Sequence, residues 1–99
     1  MTTPSSPCWR IAPGQQLSFE ELDDGVVAYD ELVGATHRLD ASAAEALAVI
    51  EEMPGLEAAG IRGQLLTRLA LAPDALPLAA VEALLVRFEL LNLVRAAPR

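Results

Sequence analysis

Residues 35–50 read ATHRLDASAAEALAVI, and a change of period inside this stretch decides the fold. Ala35, His37 and Leu39 alternate with Thr36 and Arg38, the two-residue repeat of a β-strand. From Asp40 onward the repeat lengthens, and Ala44, Leu47, Ala48 and Ile50 fall on one side of a helix. Asp40 or Ser42 can cap that helix, and Ser42 with Glu45 three residues on fits a capping box. Strand and helix meet with no loop between them. Pro54-Gly55 ends the helix.

Working upstream, Leu17 and Phe19 alternate with Ser18 and Glu20, and Val26 to Tyr29 form a second β-rich run. Asp23-Asp24-Gly25 and Leu32-Val33-Gly34 supply the turns. Three short strands with tight connections predict an antiparallel meander whose third strand, 35–39, is an edge. Before it, Cys8 to Ala12 is a short extended segment closed by the turn pair Pro13-Gly14. The chain of 99 residues is long enough for one domain and too short for two. Residues 1–8 are expected as a flexible, Thr/Ser/Pro-rich tail and 9–95 as the domain.

Downstream, a second helix is expected from about Glu57 to Leu69, burying Ile61, Leu65, Leu66 and Leu69. Gly60 and Gly63 each cost it about 0.5–1 kcal/mol against alanine. Ala72-Pro73-Asp74 breaks the chain before a third helix from about Pro77 to Leu91. Pro77 suits its first turn. Asn92 fits the left-handed cap position, with Leu93 folding back as the apolar contact after it. Strands followed by helices give an α+β domain whose helices cover one face of the sheet.

On a helical wheel the third helix carries two apolar stripes. Val81, Leu84, Leu85, Phe88 and Leu91 form the larger, which is expected to face the core. Ala79, Ala83, Val86 and Leu90 form a second, roughly opposite. Glu82 and Glu89 separate the stripes on one side and Arg87 on the other. Packing against the other helices explains the second stripe, as does an interface with a second copy or a partner.

The formal net charge of −7 would repel duplex DNA and favour a basic or neutral peptide. All seven basic residues are arginine. With one cysteine, Cys8, no internal disulfide forms, and the N-terminus lacks the pattern of a signal peptide. No run of 18 apolar residues occurs, so a cytoplasmic protein without a membrane span is expected.

His37 is the only histidine, and no HxxxH, CxxC, GxGxxG or GxxxxGK[ST] pattern accompanies it. It reads as a structural or partner-contacting side chain, and Cys8 as a small half-buried hydrophobe. The carboxylates Glu20, Glu21, Asp23, Asp24, Asp30 and Glu31 do not have the spacing of an EF-hand and read as a solvated acidic rim. No catalytic constellation, metal or cofactor follows, so the chain is expected not to be an enzyme. What remains is the edge strand. Its outward N–H and C=O groups can accept a peptide as a further strand unless the segment Trp9–Ile11 or a second copy covers them.

WRIAPG, THRLDASAAEAL and the final helix ending FELLNLV together resemble the PqqD-like peptide chaperones, the RiPP recognition elements. The likeness spans roughly residues 9–95, and THRLDASAAEAL is its most specific block. It also looks like the subgroup associated with HPr-kinase-related systems. Asn92 departs from the glycine common there, and Gly60 and Gly63 depart within the second helix. The resemblance implies a winged-helix-like domain of three antiparallel strands followed by three helices. It implies a non-catalytic role in natural product biosynthesis, binding the leader of a ribosomally made precursor peptide and presenting it to a modifying or HPr-kinase-related enzyme. The positions it implies for the leader are Thr36, His37, Arg38 and Leu39 with Val81, Leu85 and Phe88. The competing readings are a winged-helix DNA-binding regulator and an interaction subunit that binds no peptide. Self-association through the second stripe of the last helix is a further expectation.

Overall fold

Two three-stranded antiparallel sheets and three helices make up this α+β fold, seen in a computed structural model that describes residues 7–13, 17–23, 25–31 and 34–97. In chain order the elements are β1 (Cys8–Ile11), β2 (Leu17–Leu22), β3 (Gly25–Asp30), β4 (Ala35–Leu39), α1 (Ala41–Glu52), β5 (Leu56–Glu57), α2 (Ala58–Arg68), α3 (Leu78–Leu90) and β6 (Val94–Ala97). A single 3-10 turn, Pro73–Ala75, leads into α3.

The expected meander is the sheet β2-β3-β4, with register Phe19–Ala28 and Ala28–His37 across it. The second sheet, β5-β1-β6, was not expected from the sequence. Its centre is the Cys8–Ile11 segment, which pairs Trp9 with Leu56 on one side and with Ala96 on the other. Two residues of β5 carry no readable period. The Val-Arg-Ala-Ala of β6 has weak strand propensity, so pairing with β1 is what makes it a strand. Cys8 therefore belongs to the domain, not to the tail, and the domain reaches Ala97 rather than ending at residue 95. Residues 1–6 of the expected tail and turn residues Gly14, Asp24, Leu32 and Val33 lie outside the described residues.

Each helix boundary has a local cause. Asp40 caps α1, its Oδ1 accepting from the Ala43 N–H at 2.8 Å. Ser42 lies inside the helix and Glu45 bonds elsewhere, so the expected Ser42–Glu45 capping box is not formed. Gly55, at φ +94°, turns the chain out of α1 and donates its N–H to the Trp9 carbonyl at 3.0 Å. Gly60 lies in the first turn of α2, where a Cβ would stand 3.1 Å from Leu56 Cδ2, a tight contact that a glycine avoids. Pro77 sits one residue before α3 as its cap residue rather than within the first turn. After α3, Asn92 takes φ +61°, and the N–H groups of Asn92 and Leu93 bond to the carbonyls of Glu89 and Phe88. This is a Schellman ending, with Leu93 fully buried as its apolar contact. Ala70 takes the same left-handed position after α2, at φ +52°.

One core joins the sheets and helices. Ala46, Leu47, Val49 and Ile50 of α1, Ile61 and Leu65 of α2, and Val81, Leu85 and Phe88 of α3 fill it, with Trp9, Ala28, Leu39, Leu93 and Val94. Each large side chain withdrawn from water there contributes about 1.5–3 kcal/mol. Leu66 and Leu69, expected in the core, are only half-buried, because α2 meets α1 and α3 along the Ile61–Leu65 side. Among the described residues, no helix is long and apolar enough to cross a membrane.

Candidate functional site

The residues 35–39 form the terminal strand of β2-β3-β4, so β4 pairs with β3 on one side and with no strand on the other among the described residues. β1 is engaged in the other sheet and does not cover this edge. Register places Ala35, His37 and Leu39 on the helix-facing side with Asp30, Ala28 and Val26. Leu39 is buried, Ala35 and His37 are half-buried, and Thr36 and Arg38 stand exposed on the outer face. These orientations are the ones expected from the alternation.

Leu39 fixes the strand's end to the core, and the Asp40 cap fixes α1 directly behind it. The strand is thus held at its C-terminal end by packing and by a helix, while alternate backbone groups along its outer side point away from β3. α1 is the helix that packs against β3 and β4, whereas α3 packs chiefly against α2 and β6.

The resemblance implied Val81, Leu85 and Phe88 as leader-contacting positions, whereas the helical period assigned their stripe to the core. They are buried in the core, each at most 1 % exposed, and so offer no surface to a peptide in this conformation. Of the seven residues, the structure therefore brings Thr36, His37, Arg38 and Leu39 together on one strand and places the three α3 residues inside. Leu39 itself acts as an anchor, which leaves Thr36, His37 and Arg38 and the strand's backbone as the accessible part.

A feature that sequence reasoning missed lies under the other edge of the same sheet. Phe19 and Val26 face Ala41, Ala44 and Ala48 of α1 and Leu69 across a groove of about 290 Å³, with Glu21 and Glu45 at its rim. A second depression of about 270 Å³ continues it past Leu22, Asp23 and Gly25. The signal was present in the sequence as small residues at 41, 44 and 48, one face of α1, which leave space where larger side chains would fill it. A further depression of about 310 Å³ lies at Cys8, Gly55, Leu56, Glu57 and Gly60.

The acidic residues are less uniform than the expected solvated rim. Asp30 is buried, at 3 % exposure. Glu31 accepts from the Ser18 hydroxyl at 3.3 Å, and Glu20 from the Tyr29 phenol at 3.0 Å. That bond to Glu20, and then its negative charge, holds the Tyr29 phenol above its ordinary pKa. Arg68 ties α2 to α1 through Glu52 at 2.9 Å and Glu45 at 3.2 Å. The hydrogen bond from Arg68 keeps the Glu52 carboxyl below its usual range and raises the guanidinium. Among the described residues, no group of three His, Cys, Asp or Glu side chains is placed to hold a metal ion.

No family model matches the chain, and neither a curated protein nor a solved structure matches it.

Proposed function

We propose that this chain is a non-catalytic peptide chaperone of the PqqD-like kind, acting in the cytoplasm. It takes the leader of a ribosomally made precursor peptide as a fourth strand on the outer edge of β4 and presents it to a modifying or HPr-kinase-related enzyme. The observation that carries this reading is the unpaired outer edge of β4 among the described residues, held in place by Leu39 and by the helix that begins at Ala41. Backbone bonds along the edge supply affinity, and Thr36, His37 and Arg38 tune which side chains the added strand carries. The net charge of −7 favours a basic leader.

The placement of arginines weighs against the DNA-binding alternative. Arg62 donates to the carbonyls of Leu76 and Pro73, and Arg68 is paired with Glu52 and Glu45, so neither α2 arginine is disposed toward a phosphate backbone. Arg87 of α3 stands between Glu82 and Glu89 in sequence, with no basic stripe around it.

The test is an amide NMR titration with the leader of the precursor peptide encoded beside this chain. Shifts should gather on residues 35–39, and the alternate β4 amides that face outward should slow their exchange with solvent on binding. Saturating peptide that leaves these amides unmoved rejects the reading.

A further inference from the structure

We infer that the outer face of α3 is a self-association surface, on which a second copy of this chain docks with its α3 parallel to the first. This inference is independent of the β4 edge. Ala79, Ala83, Val86 and Leu90 are all exposed, Val86 at 50 % and Leu90 at 81 %. At 100° per residue they fall within an arc of about 60°, diametrically opposite the buried side carrying Val81, Leu85 and Phe88. Among the described residues no neighbouring element covers that face, since α2 and β6 pack on the other side.

The spacing of four, three and four residues is that of a coiled-coil seam, with Ala79 and Val86 at d and Ala83 and Leu90 at a. Glu82 and Glu89 then occupy g, and Arg87 occupies e. Glu82 and Arg87 lie five residues apart, about 140° around their own helix, so they do not pair within one chain. Indeed none of the ion pairs among the described residues involves Glu82, Arg87 or Glu89. Across a parallel two-fold pair, each g residue meets the e residue five positions on in the other helix. Glu82 of each copy therefore meets Arg87 of the other, twice per dimer. In an antiparallel pair like flanks meet, which would set Glu82 and Glu89 against their own counterparts. Charge thus selects a second copy and a parallel orientation. Because the seam lies opposite the buried side of α3, a two-fold pair would set the two cores on opposite sides of the helix pair.

The seam from Ala79 to Leu90 is about 17 Å long and half of it is alanine, less than a permanent dimer buries, so the association should be weak and reversible. Sedimentation equilibrium of the full chain from about 10 µM to 1 mM should show the mass rising from 10.5 kDa towards twice that value. Leu90→Glu should weaken association at least about tenfold, with an unchanged far-UV spectrum because Leu90 is almost fully exposed. At low salt, Glu82→Arg and Arg87→Glu should each weaken it about threefold or more, and the two together should restore it. A monomer at every concentration overturns the inference. So does strengthening by either single reversal, the signature of antiparallel helices, or a double variant that fails to recover.

Discussion

β2 and β4 are the two edges of one sheet, and they are held in opposite ways. β4 ends in a buried leucine and runs straight into a capped helix. β2 has no fully buried residue: Leu17 packs only partly buried against the core, and four of its six residues are exposed, among them Phe19 and Leu22 at 38 % and 41 %. The edges also differ in the charges they carry. β2 carries Glu20 and Glu21, adjacent charges of the kind that blunt an edge against pairing, whereas the only charge of this kind on β4 is Arg38. Yet it is β2 that lies beside an apolar groove. An edge suited to backbone pairing and a cavity suited to side chains have been separated onto opposite sides of the sheet. The proposal places the peptide on β4 because strand addition draws its affinity from the backbone and needs a strand that does not yield.

The largest expected effect tests that difference in anchoring. Leu39→Ala should cost about 2–5 kcal/mol of folding stability, the range for a buried leucine. Leu22→Ala, on the outer face of β2, should cost less than about 0.5 kcal/mol. Urea denaturation of both variants measures the contrast. Equal losses would mean that the two edges are anchored alike and would remove the argument for preferring β4.

Next in size is the cap behind the strand. Asp40→Ala removes the acceptor for the Ala43 N–H and should cost about 1 kcal/mol. Hydrogen exchange sharpens the comparison, since amides of β4 and the first turn of α1 should exchange faster in the variant while those of β2 keep their rates. Faster exchange spread evenly over β2, β3 and β4 would show that the cap stabilises the whole domain and does not hold β4 in particular.

These two variants rest on the part of the molecule most legible in the sequence. Alternation over 35–39, the abrupt change of period at Asp40 and the left-handed cap at Asn92 are local signals, and local structure follows them. The β5-β1-β6 sheet was not legible. Its flanking strands are two and four residues long and come from distant parts of the chain, so only tertiary pairing defines them. For Val81, Leu85 and Phe88 the two sequence readings diverged: the helical period assigned their stripe to the core, where they lie, whereas the resemblance implied a place beside the peptide, which no local signal in the stripe supports. The cavity under β2 is an emptiness between Phe19 and the small residues of α1, and a sequence records emptiness only indirectly.

A third variant turns on that cavity. Phe19→Ala enlarges the groove at its β2 wall, remote from the outer side of β4. Leader binding, followed by NMR or calorimetry, should change by less than about twofold. A large loss with the shifts on 35–39 abolished would relocate the peptide to the β2 side, and the proposed site on β4 would fall.

The smallest effect is expected from acid, and it falls on the groove side. Arg68 clamps Glu45 and Glu52, and Glu45 and Leu69 both line the groove, so the clamp positions that wall while touching nothing on β4. Arg68 holds the Glu52 carboxyl below its usual range in the folded chain. A carboxyl depressed in this way stabilises the fold at neutral pH, and that contribution disappears as pH falls below the ordinary carboxylate range and through the lowered value. Because the pair is open to solvent, the loss should be small and should shrink further with added salt. Glu52→Gln should therefore lower stability slightly near neutrality and narrow the gap in urea midpoint between about pH 7 and pH 3. An unchanged gap would mean that the clamp does not couple α1 to α2, and the groove wall would then be as loosely held as the strand above it.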